Sequence, residues 1–182
     1  MVDILGAVYS FLAQYVPDIA AGSIVRGWQN RAALPDDGDY IVLTLLTTRR
    51  HGTNVHDRRD AVGSETYIEE IIYMLGEHTV QVDFCGQDEQ TVMARATRLA
   101  ALARDGVAVD FFKAYGLLPL YAEDVRSAPY TNEQRQWETR YIVTLHLECW
   151  HDVIIPQPAF TEVNIQIEDV DVHHPITIER SY

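Results

Sequence analysis

Hydrophobic residues recur at helical spacing in two parts of the chain. Near the start, one helical stripe is formed by Ile4, Leu5, Val8, Phe11, Leu12 and Tyr15, and Pro17 ends the pattern. Within residues 88–104, a second stripe is formed by Val92, Met93, Ala96, Leu99, Ala100 and Ala103, and Gly106 is placed to terminate it. The pattern predicts an N-terminal helix and a central helix, each with one buried face.

Apolar runs that are continuous, or that alternate with polar residues, predict strands in the rest of the chain. The predicted strands cover residues 23–28, 40–46, 65–74, 77–85, 137–150 and 162–172. The third and fourth are predicted to form a hairpin around Gly76, and a change of phase indicates a bulge near Glu168 or Asp169 in the last. Two short apolar pieces, residues 109–112 and 117–121, fit either a strand or a helical turn.

The order of these elements predicts an α+β fold. We expect a mostly antiparallel sheet with the N-terminal helix and the central helix packed on one face. The length of 182 residues favours a single domain over residues 1–182. Long loops are predicted at residues 47–64 and 125–137, and a C-terminal tail from about residue 173 to residue 182. Connections of that length without structure of their own are usually functional or disordered.

Composition and charge narrow the possible functions. The chain is 47% hydrophobic, which is typical of a globular protein, and its formal net charge is −13. A field of that sign repels phosphate backbones, so wrapping nucleic acid is disfavoured, although an acidic channel would let DNA slide through. The first residues lack a basic region, and no apolar stretch reaches the roughly 20 residues of a membrane helix. We therefore expect neither a secretion signal nor a membrane segment.

The sequence contains none of the common enzyme motifs. Phosphate-binding loops, the nucleophile elbow of hydrolases and the zinc-protease helix are all absent. Cys85 and Cys149 are predicted to be buried free thiols in a reducing compartment. They are far apart and neither lies in a C-x-x-C motif, so a structural zinc site is not expected. We predict no catalytic residues, no cofactor and no metal.

Two weaker constellations have a simpler interpretation. Asp169, Asp171 and His173 would share one face of the last strand and could in principle hold a metal, but we interpret them as a solvated strand end. His56 and Asp57 with Ser64 suggest a catalytic triad, yet closeness within one polar loop does not provide the required geometry. Neither set changes the prediction of a protein without catalysis.

The loop at residues 47–64 is basic in an otherwise acidic chain. Four of the 13 arginines lie between residues 49 and 59, whereas the chain has a single lysine, Lys113. Either this is a solvated loop, or it docks onto an acidic patch of another copy or another protein. Head-to-tail contacts of that kind can close into a ring, with excess acid left for surfaces such as a lumen.

Four segments together resemble neck and tail-terminator proteins of tailed bacteriophages. They are RRHGTNVH at residues 49–56, VDFCG at 82–86, PLYAED at 119–124, and the stretch from Glu133 and Gln134 through WETR at 137–140 to His146. The resemblance spans roughly residues 40–150, and neither the first helix nor the last strand carries a matching motif.

The resemblance implies a structural subunit of the phage neck without catalysis. Six copies would form a hexameric ring that caps the tail tube and joins it to the head connector, with DNA passing through the lumen without specific binding. The implied partners are other copies, the tail tube protein and the head connector protein. The implied location is the virion, after assembly in the bacterial host cytoplasm, for a phage or a prophage. The candidate assembly interface comprises Arg49, Arg50, His51, His56, Arg58, Arg59, Arg135 and Trp137.

Two other functions remain open from the sequence. A head-tail connector or stopper, or another minor tail subunit, would have the same broad role at a different position in the virion. An enzyme or a small-ligand protein with an unrecognised site would instead require a deep pocket with convergent polar groups.

Overall fold

The structure, a computed structural model, describes residues 2–16, 19–27, 38–61, 63, 67–131 and 137–158. Within these residues there are three α-helices and eight strands. The helices are α1 (Ile4–Tyr15), α2 (Glu89–Ala103) and α3 (Gly106–Lys113). The strands are β1 (Ile24–Arg26), β2 (Tyr40–Arg50), β3 (Val55–Asp60), β4 (Tyr67–Gly86), β5 (Leu118–Ala122), β6 (Arg126–Ser127), β7 (Tyr130–Thr131) and β8 (Trp137–Pro158).

The sheet is built around one long antiparallel pair. Its strand order is β1-β2-β4-β8-β5, with β3 paired to β4, and β6 and β7 paired to β8. β4 and β8 pair without interruption from Tyr67 opposite Pro158 to Gly86 opposite Thr139. Only the pairing of β1 with β2 is parallel among the described strands. The predicted α+β fold with a mostly antiparallel sheet is confirmed.

All three helices contribute to a core on one face of this sheet, which we call the helical face. The buried side chains of the three helices pack there against inward-facing residues of β2, β4 and β8. The largest fully buried side chains of this core include Phe11, Phe84, Phe112, Leu99 and Leu145. In β4, the even-numbered residues point to the helical face, and in β8 the odd-numbered residues do so, because side chains alternate along a strand.

Short polar residues determine where the helices begin. Asp3 accepts a hydrogen bond from the Gly6 N–H at 3.0 Å, and Asp88 accepts one from the Thr91 N–H at 2.9 Å. Asp105 caps α3 in the same way.

The predicted end of the central helix is wrong. Gly106 does not terminate that helix but is the first residue of α3, because α2 ends at Ala103 and Asp105 starts a new helix. The untyped residues 109–112 are therefore helical, whereas residues 118–121 belong to β5.

The predicted hairpin around Gly76 is wrong, because β4 runs straight through this residue. Ile72, Met74, His78 and Val80 all occupy even-numbered positions, so the alternation keeps its phase across the glycine and specifies one strand. A Cβ atom at this position would lie 3.4 Å from the Nε2 atom of His151 and 3.5 Å from that of His78, which is ordinary van der Waals contact.

The predicted loops also contain strands. β2 continues to Arg50, and β3 begins at Val55 after a turn in which Gly52 adopts a positive φ of 77°. β3 has no apolar alternation, so the hydrophobic pattern could not reveal it. In the second predicted loop, β6 and β7 form short pairings with β8. β8 itself continues beyond residue 150, where the prediction ended, and the predicted strand at residues 162–172 and the tail lie outside the described residues.

The central aromatic contact of the core provides a test of this packing. Phe112 is fully buried and stacks on Phe11 with ring centroids 4.9 Å apart. We expect Phe112→Ala to lower the free energy of unfolding by about 3–5 kcal/mol, because it leaves a cavity in the core. Met93→Ala on exposed α2 surface should change it by only about 0.5 kcal/mol. Urea denaturation of both variants measures the difference, and equal losses would contradict the packing described.

Candidate assembly interface

The sheet extends well past the helical core. On the helical face, the core reaches Val80 on β4 and Cys149 on β8. Beyond it continue three paired strands, which we call the arm: β3, residues 67–76 of β4 and residues 149–158 of β8. Every residue of β3 is exposed. The arm is thus a β-structured extension in which β3 and most of residues 150–158 are exposed, whereas the β4 segment between them is mostly half-buried.

Three of the predicted interface residues on or beside the arm are paired within the chain. Arg59 donates to the Glu69 carboxylate at 2.7 Å, and His56 lies 3.0 Å from that of Glu70. His51, just after β2, lies 2.7 Å from the Glu77 carboxylate. These contacts join β3 and the end of β2 to β4, so their first role is to hold the arm together. Exposed pairs of this kind contribute about 0–1 kcal/mol each.

The other three basic residues of this region have no such partner. The side chains of Arg49, Arg50 and Arg58 are exposed and form no ion pair with any of the described residues. A guanidinium group suits planar, two-point contacts with carboxylates. Of the predicted cations, these three are therefore the ones available to bind acidic groups on another molecule.

The remaining predicted interface residues do not lie on the arm. Trp137 is the first residue of β8 and its side chain is 77% exposed. It is about 40 Å along β8 from the root of the arm, since a strand rises about 3.3 Å per residue. Arg135 lies outside the described residues. The predicted interface therefore falls into two separate regions, of which the arm holds the larger number of residues.

Apolar residues on the arm were missed by the sequence analysis. Val153, Ile154 and Ile155 are exposed in β8, and Tyr67 is exposed at the start of β4. Val153 and Ile155 lie on the helical face, where none of the described helices covers them, and Ile72 lies directly opposite Val153. Exposed apolar clusters on a soluble protein commonly mark a contact surface. The apolar run itself was the available signal, but the predicted strand ended before it.

Among the described strands, one long edge of the arm has no partner. Up to Glu148, the outer side of β8 is covered by β5, β6 and β7. From residue 149 to residue 158, no described strand pairs with that side. An open edge presents unpaired N–H and C=O groups to which another strand can bind, and Pro156 and Pro158 restrict that pairing near the tip.

A half-buried carboxylate, that of Glu77, joins the arm to the body on the opposite face of the sheet. The two carboxylate oxygens of Glu77 lie 2.7 Å from His51 Nε2 and 2.6 Å from His146 Nδ1. The ring of Tyr121 stacks on His146 with centroids 4.1 Å apart. Hydrogen bonds from His146 and then from His51 lower the pKa of Glu77. The network links β2, β4, β5 and β8 at the point where the arm leaves the body.

Two histidines and a cysteine meet at the same level on the helical face. His78 Nε2 lies 2.8 Å from His151 Nε2, and Cys149 Sγ lies 3.5 Å and 3.4 Å from these atoms, respectively. Burial and the nearby His151 lower the pKa of His78, and burial raises the pKa of the Cys149 thiol. These are the residues of the described chain whose ligand atoms converge as a metal site requires. Both cysteines are free and buried, as predicted.

The signal for this cluster was present in the sequence. Cys149 and His151 are two residues apart on a strand and so share a face, and His78 comes from the neighbouring strand. Neither cysteine lies in a C-x-x-C motif, and the predicted hairpin at Gly76 concealed the pairing of β4 with β8. The three residues therefore could not be brought together.

The other constellations do not form sites in the described residues. His56 and Asp57 are neighbours on β3, so their side chains point to opposite faces, and Ser64 lies outside the described residues. Asp169, Asp171 and His173 also lie outside them. None of the described helices is long and apolar enough to cross a membrane.

An α+β subunit with a projecting arm, unpaired guanidinium groups and an open strand edge has the features of a protein that works through contacts with other proteins. The chain matches the family of phage neck terminator proteins over residues 6–175, and it belongs to that family. A comparison with curated proteins found no match. The family resemblance identified from the sequence is confirmed, and the match includes α1 and extends past β8. The protein is thus a structural component of the phage neck that interacts with other neck or tail proteins of the virion.

The Glu77 network predicts a defined dependence of stability on pH. Because the pKa of Glu77 is lowered in the folded state, its stabilising effect is complete above its ordinary pKa of 4.5 and is lost as the pH falls through the lower folded value. We expect Glu77→Gln to be less stable than the natural protein at pH 7, with the difference shrinking below pH 4.5. Thermal unfolding across pH 3–7 tests this, and a difference that stays constant with pH would contradict it.

Proposed function

We propose that the protein forms a closed ring in the phage neck, held together by its arm. In this proposal the arm of one copy reaches the body of the next, and six copies close a hexameric ring. The ring caps the tail tube and joins it to the head connector. The function rests on contacts and not on catalysis, and assembly takes place in the cytoplasm of the bacterial host.

The arm is the observation that carries this proposal. It combines three features expected of an interface: unpaired cations, exposed apolar side chains and an unpaired strand edge. The contact proposed here is head-to-tail, between the arm of one copy and the body of the next, and head-to-tail contacts produce rings when the rotation between subunits closes.

The charge distribution suits the passage of DNA. The net charge is −13. Arg58 on the arm, and Arg49 and Arg50 at the adjoining end of β2, form no ion pair with any of the described residues. Contacts that occupy these arginines would leave acidic groups such as Asp110 and Glu123 on the remaining surfaces. A lumen lined by such groups repels phosphates, so DNA would pass without being bound.

The arm arginines provide the first test of the ring. We expect the triple variant Arg49→Gln, Arg50→Gln, Arg58→Gln to fold normally, because these side chains make no internal ion pairs in the described structure. Its self-association constant should fall at least about tenfold, since contacts with acidic partners are lost. Native mass spectrometry over a concentration series measures this, and negative-stain images show whether closed rings with a central hole form.

A matched variant controls for the loss of charge. Arg98→Gln, Lys113→Gln, Arg126→Gln removes the same number of exposed cations from other parts of the surface. It should associate like the natural protein. If the protein is monomeric alone, co-sedimentation with isolated tail tubes replaces self-association as the measurement. Equal association of the two triple variants would show that Arg49, Arg50 and Arg58 take no part in assembly.

The apolar residues of the arm provide an independent test. We expect Val153→Ser with Ile155→Ser to weaken ring formation, because both side chains would be buried against the next copy. Met93→Ser with Val109→Ser, which also changes exposed apolar residues but on α2 and α3, is the control. Sedimentation velocity compares the two double variants, and an unaffected arm variant would show that this surface makes no essential contact.

A further inference from the structure

We propose that His78, Cys149 and His151 form a Zn²⁺ site at the root of the arm. This inference does not depend on the proposed ring, since all three ligands belong to one chain. Imidazole nitrogens and a thiolate are the donors that Zn²⁺ prefers. A site with three protein ligands leaves the fourth position of a tetrahedral ion for water or another donor.

The distances between the donor atoms fit such an ion. With Zn–N bonds of about 2.0–2.1 Å and a Zn–S bond of about 2.3 Å, tetrahedral geometry places sulfur roughly 3.6 Å from each nitrogen and the two nitrogens roughly 3.3 Å apart. The observed separations of Cys149 Sγ from the two Nε2 atoms are 3.5 Å and 3.4 Å. The two Nε2 atoms are 2.8 Å apart and need to separate by only about 0.5 Å to reach that geometry.

The surroundings hold the donors in place. Thr48 Oγ1 lies 3.0 Å from His78 Nδ1, so the hydroxyl can accept the Nδ1–H and leave Nε2 free to bind metal. Cys149 and His78 are only 3% and 2% exposed, and both sit on the rigid pairing of β4 with β8. Gly76 lacks the Cβ atom that would stand beside both Nε2 atoms.

The open coordination position has a route to solvent. His78 and His151 line a cavity of about 720 Å³ that lies between the start of α1 and the arm, and Met74 and Trp150 also line it. A metal ion could enter from this cavity, and water or an external donor could reach the ion. Because the ligands come from β4 and β8, two of the three strands that continue into the arm, the ion would link these strands where the arm leaves the core.

Metal binding by the full chain tests the site directly. The purified protein, first treated with a chelator, is titrated with Zn²⁺ against a competing chromophoric chelator. We expect one Zn²⁺ per chain and a rise in the unfolding temperature on binding. Co²⁺ in place of Zn²⁺ should give a thiolate-to-cobalt charge-transfer absorption together with the visible bands of a tetrahedral ion.

Matched variants assign the ligands. Cys149→Ser should abolish the charge-transfer band, whereas Cys85→Ser, which changes the other buried cysteine, should keep it. His151→Gln should lose the single high-affinity site, whereas His56→Gln on the arm should not. Thr48→Val should weaken binding by about tenfold or more, because the orienting hydrogen bond to His78 is lost. Circular dichroism identifies any variant that fails to fold. If a ligand variant does not fold, the positions of the Co²⁺ bands in the natural protein still identify the type of ligand.

Two results would overturn the proposal. One is the absence of stoichiometric Zn²⁺ binding by the natural protein. The other is binding that persists unchanged in both Cys149→Ser and His151→Gln. In either case the three side chains form only a hydrogen-bonded cluster that satisfies buried polar groups. Ring formation is measured separately, so its failure would leave the metal site unaffected.

Discussion

The unbroken pairing of β4 with β8 is the constraint on which the rest of the structure depends. Its inner half provides the floor of the core, on which the helices pack, and its outer half forms the centre of the arm. A single register therefore determines which side chains face the core and which side chains the arm exposes on each face, because a shift of one residue would turn every side chain of a strand to the other face. Core pairs such as Val82 opposite Val143 fix the register of the inner half. Because the pairing is unbroken, the outer half in the arm has the same register.

The register also explains why the polar networks lie at the root of the arm. On the helical face, His78 meets Cys149 and His151, and on the opposite face Glu77 meets His146. Histidines and a carboxylate are expensive to bury unless each has a partner, and on both faces the contacts join β4 to β8. Paired polar groups on both faces of the sheet thus lie between the apolar core and the exposed arm.

Much of the fold could be predicted from the sequence, because the helices and the long strand carry regular apolar spacing. The stripe in residues 4–15 and the alternation in residues 137–150 were enough to predict the fold class. The arm could not be predicted in the same way. β3 is polar on both faces and is held by cross-strand pairs such as Arg59 with Glu69, and a glycine in β4 suggested a turn where the strand continues. The basic residues were identified, but which of them are paired within the chain depends on a register that the sequence does not display.

The long pairing has a consequence for the order in which the chain folds. The inner end of the ladder, Gly86 opposite Thr139, closes a shorter stretch of chain than the outer end, Tyr67 opposite Pro158. Closing the shorter stretch loses less conformational entropy, and pairing at the inner end also buries hydrophobic side chains of the core. We therefore expect the pairing of β4 with β8 to begin at the core and extend outward, so that the tip of the arm becomes ordered last. Newly made chains would complete their body before they present an edge to which a neighbour can bind, which limits premature association while many copies are synthesised together.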